Sequence, residues 1–429
     1  MHPDDDTARP GWLGPWLKGF PALQPPVRLE DVASRGWTLH GDELPLPLAV
    51  VRQQALAHNV AWMQDFATRQ GVHLAPHGKT TMSPQLFRRQ LDAGAWGLTF
   101  ANVHQLRLGL AAGARRALIA NQVINAAELA ELLDLRRRHA GVELAFFVDS
   151  QAQLDLLTSH WTQLGPDEAR LDVLIELGTS RCGVREHAPA LALARALKTH
   201  PALRLRGLGF YEGLQVVGDT APDRALMQHW QARVETLLAD IEAEGLIDVT
   251  PLWLSGGGSA LFDLVAPVLA DRPGRLGLLR SGCYICHDHT HYGRYMATMD
   301  ARMGTPLSAP SLQPALEVWT QVLSCPEPGL ALLNAGRRDV SFDQGWPLPV
   351  WHLPRGATQR EAVTGWQVTA LNDQHAYLRW DPSERDGPAV GDRVGLGPSH
   401  PCTTFDKWTW MAVVDDDDRI VDAITTRFD

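Results

Sequence analysis

The chain has 429 residues, 45% of them hydrophobic, and a formal net charge of −10 at pH 7. That length sustains one large core and a second, smaller one. The acidic balance and the lack of any basic cluster speak against nucleic acid or an anionic membrane surface as partner. No apolar run approaches the ~18 residues of a membrane helix, and the opening stretch MHPDDDTARPGW lacks the apolar segment of a signal peptide. Five cysteines are too few for a disulfide framework at this length. The expectation is a soluble cytoplasmic protein, an enzyme by its size.

Residues 1–45 read as an N-terminal extension packing on a later β domain. The LPLPLAVV run (44–51) either joins that domain or seals the bottom of the unit that follows. From there a βα pattern recurs. Apolar, β-rich runs at 72–76, 96–101, 117–121, 142–149, 171–177, 205–211, 252–255 and 276–281 alternate with stretches of helical periodicity, such as 126–139, 189–200 and 223–245. Continuous apolar strands alternating with helices indicate parallel βα units. Eight such units predict a (β/α)8 TIM barrel over 46–303. The proline- and serine-rich stretch 304–314 reads as a linker. Beyond it the runs are short, alternating and broken by Gly, Pro and Asp, which predicts an antiparallel β domain over 304–429. Seven of the fifteen tryptophans fall there. The DDDD run at 415–418 reads as a solvated hairpin turn.

In such a barrel the chemistry gathers at the C-terminal strand ends. Those ends carry Lys79, Asn102, Asn121 with Gln122, Asp149, Thr179 with Arg181, Tyr211 with Glu212, Gly256 to Ser259, and Ser281 with Gly282. Lysine is scarce, occurring only at positions 18, 79, 198 and 407, so one at a barrel mouth stands out. The triple glycine and the Ser-Gly turn lie after strands 7 and 8, where barrel enzymes build phosphate sites from backbone N–H groups. The competing reading is a flexible turn. Lysine beside a phosphate cradle points to pyridoxal phosphate, because lysine forms a Schiff base with its aldehyde.

Six motifs then occur in order: PHGKT (76–80), LGTSRCG (177–183), GFYEG (209–213), LSGGGS (254–259), RSGCY (280–284) and HPCTTFD (400–406). From about residue 45 to the end, the chain resembles the D-serine dehydratase and D-threonine aldolase group of fold-type III pyridoxal phosphate enzymes, relatives of alanine racemase. The resemblance implies a barrel followed by a β domain, paired into a homodimer. By motif, Lys79 would anchor the cofactor, Arg181 would face its pyridine nitrogen, and Tyr211 would bond near its phenolic oxygen. Gly257, Gly258, Ser259, Ser281, Gly282 and Tyr284 would take the phosphate. His400 and Cys402 would bind a divalent metal, which the soft thiolate makes zinc. Around the lysine the group commonly reads Arg-Pro-His-x-Lys-Thr-His. Here Ala75 and Thr81 replace the outer two residues, which puts contacts around the lysine in doubt, though not the lysine itself.

A His-x-Cys pair alone is weak evidence for a metal. In this group cysteine at position 402 goes with dehydratases and aspartate with aldolases. The resemblance therefore implies elimination of the β-hydroxyl from a D-amino acid such as D-serine, with retro-aldol cleavage of a D-threonine-like substrate as the alternative. A racemase would need a second base, and Tyr377 is the sole tyrosine after residue 300. A non-catalytic cofactor carrier would lack the β domain. The segment CHDHTHY (286–292) offers His287, His289 and His291 as rival ligands and Asp288 as a substrate contact. A polar loop at the domain junction explains it equally well.

Overall fold

Two short strands, β1 (Trp12–Leu13) and β2 (Val27–Arg28), and the five-residue β3 (Leu48–Arg52) lead into helix α1 (Gln53–Gln70). The computed structural model describes residues 11–165, 170–306 and 308–428. The expectation about a signal peptide falls mainly on residues 1–10, outside the described residues.

The βα units follow: β4 (His73–Leu74), α2 (Pro84–Asp92), β5 (Leu98–Phe100), α3 (Val103–Ala111), β6 (Arg116–Gln122), α4 (Ala126–Arg138), β7 (Glu143–Val148), α5 (Gln151–Leu164), β8 (Leu171–Leu177), α6 (His187–Lys198), β9 (Leu203–Phe210), α7 (Thr220–Ala243), β10 (Leu252–Gly256), α8 (Phe262–Leu269) and β11 (Arg275–Leu279). The eight strands β4 to β11 are parallel neighbours in one sheet, with β4 beside β11. A parallel bridge from His77 to Thr99 joins the first strand to the second, so the sheet closes into the expected barrel. Its interior is filled by Ala75, Leu118, Ala145, Phe147, Leu174, Trp253 and Leu278, with Trp96 edge-on to Trp253 at 4.7 Å. The barrel is therefore packed below its mouth.

Several helices start at that mouth because a side chain there captures a free N–H. Asn102 accepts from the Gln105 N–H at 2.9 Å, Asn125 from Ala127 at 2.8 Å and Ser150 from Gln153 at 3.3 Å. Asn102, a strand-end candidate in the sequence, is thus a helix cap.

After α9 (His291–Met303) come β12 (Leu316–Glu327), β13 (Leu330–Leu333), β14 (Leu348–Leu353), β15 (Glu361–Ala362), β16 (Gln367–Leu371), β17 (Ala376–Arg379), β18 (Arg393–Gly397), α10 (Cys402–Phe405), β19 (Trp410–Val414) and β20 (Ile420–Thr425). The early strand β3 enters this sheet, antiparallel to β12 and parallel to β19. Its alternation divides it between two cores. Ala49 and Val51 join the large cluster that runs from barrel into sheet, while Leu48 and Val50 pack with Trp319 and Trp410. Leu13, Phe20, Val32 and Trp37 of the N-terminal segment complete the second cluster.

The 304–314 stretch connects α9 to β12 and is fastened near its end: Asn59 bonds Gln313 through both its amide atoms at 2.7 Å, and Leu312 is buried. One sequence expectation needs correction. The DDDD run is a turn, but Asp418 is not solvated. It is 3% exposed and pairs with Arg52 and Arg360, because Arg52 is buried and needs a second carboxylate besides Glu317.

Candidate active site

Lys79 sits in a single 3₁₀ turn, Gly78–Thr80, directly after the first barrel strand. Phe87 and Phe100 lie 2.7–2.9 Å from where a Cβ on Gly78 would stand, so only glycine allows the turn to nest there. Lys79 projects into a cavity of about 760 Å³ lined also by His77, Arg181, Tyr211, Gly257, Gly258, Ser259, Gly282, Cys283, His400 and Cys402. Motifs from both ends of the chain thus share one chamber.

The Arg181 guanidinium lies over the Tyr211 ring, 5.0 Å from its centroid. Burial, with Glu212 and Cys283 nearby, pushes the Tyr211 hydroxyl up to about 12. His77 is held well below its usual pKa by burial and by the Lys79 and Arg280 cations, so its imidazole is neutral. Two buried groups that also line the cavity, Arg280 and Glu176, were missed in the sequence as functional groups. Arg280 donates to Ser255 Oγ at 2.8 Å and to the Phe210 carbonyl at 2.7 Å, and burial lowers it to about 10. Glu176 accepts from Gln122 at 2.6 Å and is raised by burial. An RSG or LIEL string gives no sign of this. Only the closure of the barrel brings strands β8 to β11 together over these side chains.

The glycine-rich loop is stitched to the turn after β11. Ser281 Oγ donates to the Gly258 carbonyl at 3.1 Å, and Cys283 N–H donates to Ser259 Oγ at 3.2 Å. The Gly258 N–H is engaged by Glu212 at 2.8 Å. Among the described residues, the N–H groups of Ser259, Ala260 and Gly282 have no acceptor in the protein and remain open to an anion. Ser281 and Tyr284 do not line the cavity. Tyr284 is buried in the core with its hydroxyl accepting from Gln90 at 3.1 Å, so that hydroxyl is turned away from the cavity.

On the opposite wall, His400 Nδ1 lies 2.7 Å from Asp343 Oδ2. Cys402 opens α10 and donates to Thr80 Oγ1 at 3.6 Å. The CHDHTHY segment resolves differently from its rival reading. His287 is buried and His289 half-buried, and Asp288 accepts the N–H groups of Thr290 and Tyr292 at 2.9–3.1 Å at the start of α9. Only His291 and Tyr292 of that segment reach the cavity.

A model of the alanine racemase N-terminal domain matches residues 51–283, and a serine dehydratase domain model matches 315–414. The chain is 30% identical over 397 residues to a D-threonine aldolase of Arthrobacter sp, covering 92% of this chain and 93% of that protein. It belongs to the fold-type III, alanine racemase-like family of pyridoxal phosphate enzymes. This enzyme is also 28% identical to a D-threo-3-hydroxyaspartate dehydratase of Delftia sp. strain HT23, over 84% of its own length and 92% of the relative's. The solved structure of a D-threonine aldolase from Filomicrobium marinum superposes with a TM-score of 0.76 at 25% identity, covering 91% of this chain and 97% of that one.

The chamber of this family member fits its cofactor. At Gly257, where φ is +92°, an added Cβ would meet Leu279 at 2.6 Å. At Gly258 it would meet Tyr211 at 2.8 Å, and at Gly282 the His77 carbonyl at 2.5 Å. The cradle exists only because these three positions lack side chains. The donor set of His400 and Cys402 suits a borderline-soft divalent ion.

Proposed function

We propose that this enzyme is a pyridoxal phosphate- and zinc-dependent dehydratase that removes the β-hydroxyl of a D-β-hydroxy amino acid, D-serine in the first instance, giving a keto acid and ammonia. The observation that carries the reading is the single chamber in which Lys79 shares space with both His400 and the thiol of Cys402.

Lys79 would anchor the cofactor, and its Nζ would serve as general base toward the α-proton. The open N–H groups of Ser259, Ala260 and Gly282 hold the phosphate, with Gly257 and Gly258 leaving it room. Tyr211 Oη, kept protonated by burial, donates beside the ring. Arg181 would face the pyridine nitrogen and hold it unprotonated. Bound in this way, the cofactor supplies an electron sink at the α-carbon. His400 and Cys402 hold the ion, with Asp343 fixing the imidazole. The ion supplies Lewis acidity toward the departing hydroxyl. Support for dehydration over aldol cleavage is the thiol at position 402. The alternative, retro-aldol cleavage of D-threonine, is favoured by the 30% identity to an aldolase over 92% of the chain. A homodimer is part of the reading. Phe342, Trp346 and Leu348 are each 39–42% exposed on the segment that also brings Gln344 to the cavity.

The test measures keto acid and ammonia from D-serine before and after chelation, with zinc returned. Release that chelation stops and zinc restores supports the proposal. Acetaldehyde from D-threonine with no keto acid from D-serine transfers the assignment to the aldolases.

A further inference from the structure

Cys283 has a second location that its motif does not reveal. Its Sγ lies 3.7 Å from Cys402 Sγ, across 119 residues of sequence. Thr80 Oγ1 stands beside both sulfurs, at 3.8 Å and 3.6 Å. Neither thiol is on a free loop. Cys283 opens the 3₁₀ turn Cys283–Ile285 and Cys402 opens α10. Both line the chamber that holds His400.

The spacing has a chemical meaning. Two thiolates on one tetrahedral zinc, each at about 2.3 Å, stand about 3.8 Å apart. A disulfide requires about 2.05 Å. The 3.7 Å separation, that of two thiols in contact, is also compatible with one shared ion. His400 supplies the nitrogen. With Nδ1 donating to Asp343, its Nε2 carries the lone pair, the arrangement in which a carboxylate orients a metal-binding imidazole. Among the described residues, the one trio of potential ligands within 4.8 Å of one another is Asp149, Glu176 and Cys182. His400 stands beyond that spacing from the two thiols, so closing the site on one ion requires its imidazole to move toward them. The Asp149 trio carries no site of its own, because its carboxylates already accept from Gln122 and the Gly183 N–H.

We propose that Cys283 is a third protein ligand, so that zinc is held by Cys283, Cys402 and His400 with its fourth position open to a substrate oxygen. The inference rests on the metal assignment of the proposed function. Binding releases one proton from each thiol and forms two zinc–sulfur bonds. Two thiolates and an imidazole select zinc over magnesium or manganese more sharply than one thiolate does. Three protein ligands and one open position are the usual make-up of a catalytic zinc site.

The experiment uses the full chain with its cofactor, stripped of metal by chelator under reductant and then titrated with Co²⁺. The difference spectrum reports sulfur-to-cobalt charge transfer. Cys283→Ser and Cys402→Ser should each lose about half of the wild-type band, and the double variant all of it. A Cys283→Ser band equal to wild type overturns the proposal while leaving the His400–Cys402 site standing. Absence of any cobalt uptake by wild type overturns the metal assignment itself. X-ray absorption of the zinc-loaded, unmutated chain gives an answer independent of folding in the variants: two sulfur neighbours support the proposal and one refutes it.

Discussion

Lys79 is the lysine of the cavity, and its removal tests the whole chemical reading. Lys79→Ala should abolish the yellow colour of the purified protein and lower turnover by roughly 10³-fold or more, as expected for loss of a general base that also anchors the cofactor. Absorbance and keto-acid release check both. Gly257→Ala places a side chain at φ +92° and 2.6 Å from Leu279. It should weaken cofactor retention and cost about 1–3 kcal/mol of stability, read by cofactor titration and urea unfolding. At this scale the sequence was legible where a residue type stands out by itself: a rare lysine and a run of glycines, both of which line the cavity. It was silent where meaning comes from neighbours. Arg280 looks like any arginine until barrel closure buries it over Glu176 and Glu212. The Tyr284 hydroxyl gives no sign in the sequence of its place in the core on Gln90. Cys283 looks like part of a turn until β18 and α10 bring Cys402 to it.

Among the elements, the segment from β11 to α9 joins barrel to sheet. Ala315 N–H donates to the Cys286 carbonyl at 2.7 Å, and a Cβ on Gly397 would fall 2.3 Å from the His289 ring. Burial holds His287 at about 3 and His289 at about 4, the latter between Arg52, which lowers it, and Glu317, which raises it. The folded chain keeps both rings neutral where the unfolded chain protonates them, below about 6.5. Stability should therefore fall as pH drops from about 6.5 toward 4, by on the order of 3 kcal/mol per ring. Urea unfolding across that window checks it, and His289→Asn should flatten part of the slope. The barrel was readable because eight apolar runs recur at helix-separated intervals. Strands β14 and β20 were not, because proline and charge break their alternation, and pairing to β18 and β19 overrides local propensity.

Across the whole molecule, one ion cluster ties the beginning of the chain to its end. Arg52 forms a fork on Glu317, at 3.0 Å through Nε and 2.7 Å through Nη2, and also meets Asp418. Trp319 and Trp351 donate to the same Glu317 at 2.8 and 2.9 Å. Asp418→Ala leaves a buried arginine short of a partner and should cost about 3–5 kcal/mol in unfolding measurements. If the exposed Phe342–Leu348 face is a dimer contact, sedimentation should give twice the 47.2 kDa of one chain, and Trp346→Glu should halve it. The place of β3 in the sheet also bears on how the protein is made. Its residues are wholly buried, and they leave the ribosome before the barrel does, yet their partners β12 and β19 follow more than 260 residues later. At ~5–20 residues per second that is a wait on the order of tens of seconds. A barrel that closes during synthesis would therefore carry β3 without its sheet partners until β12 and β19 emerge.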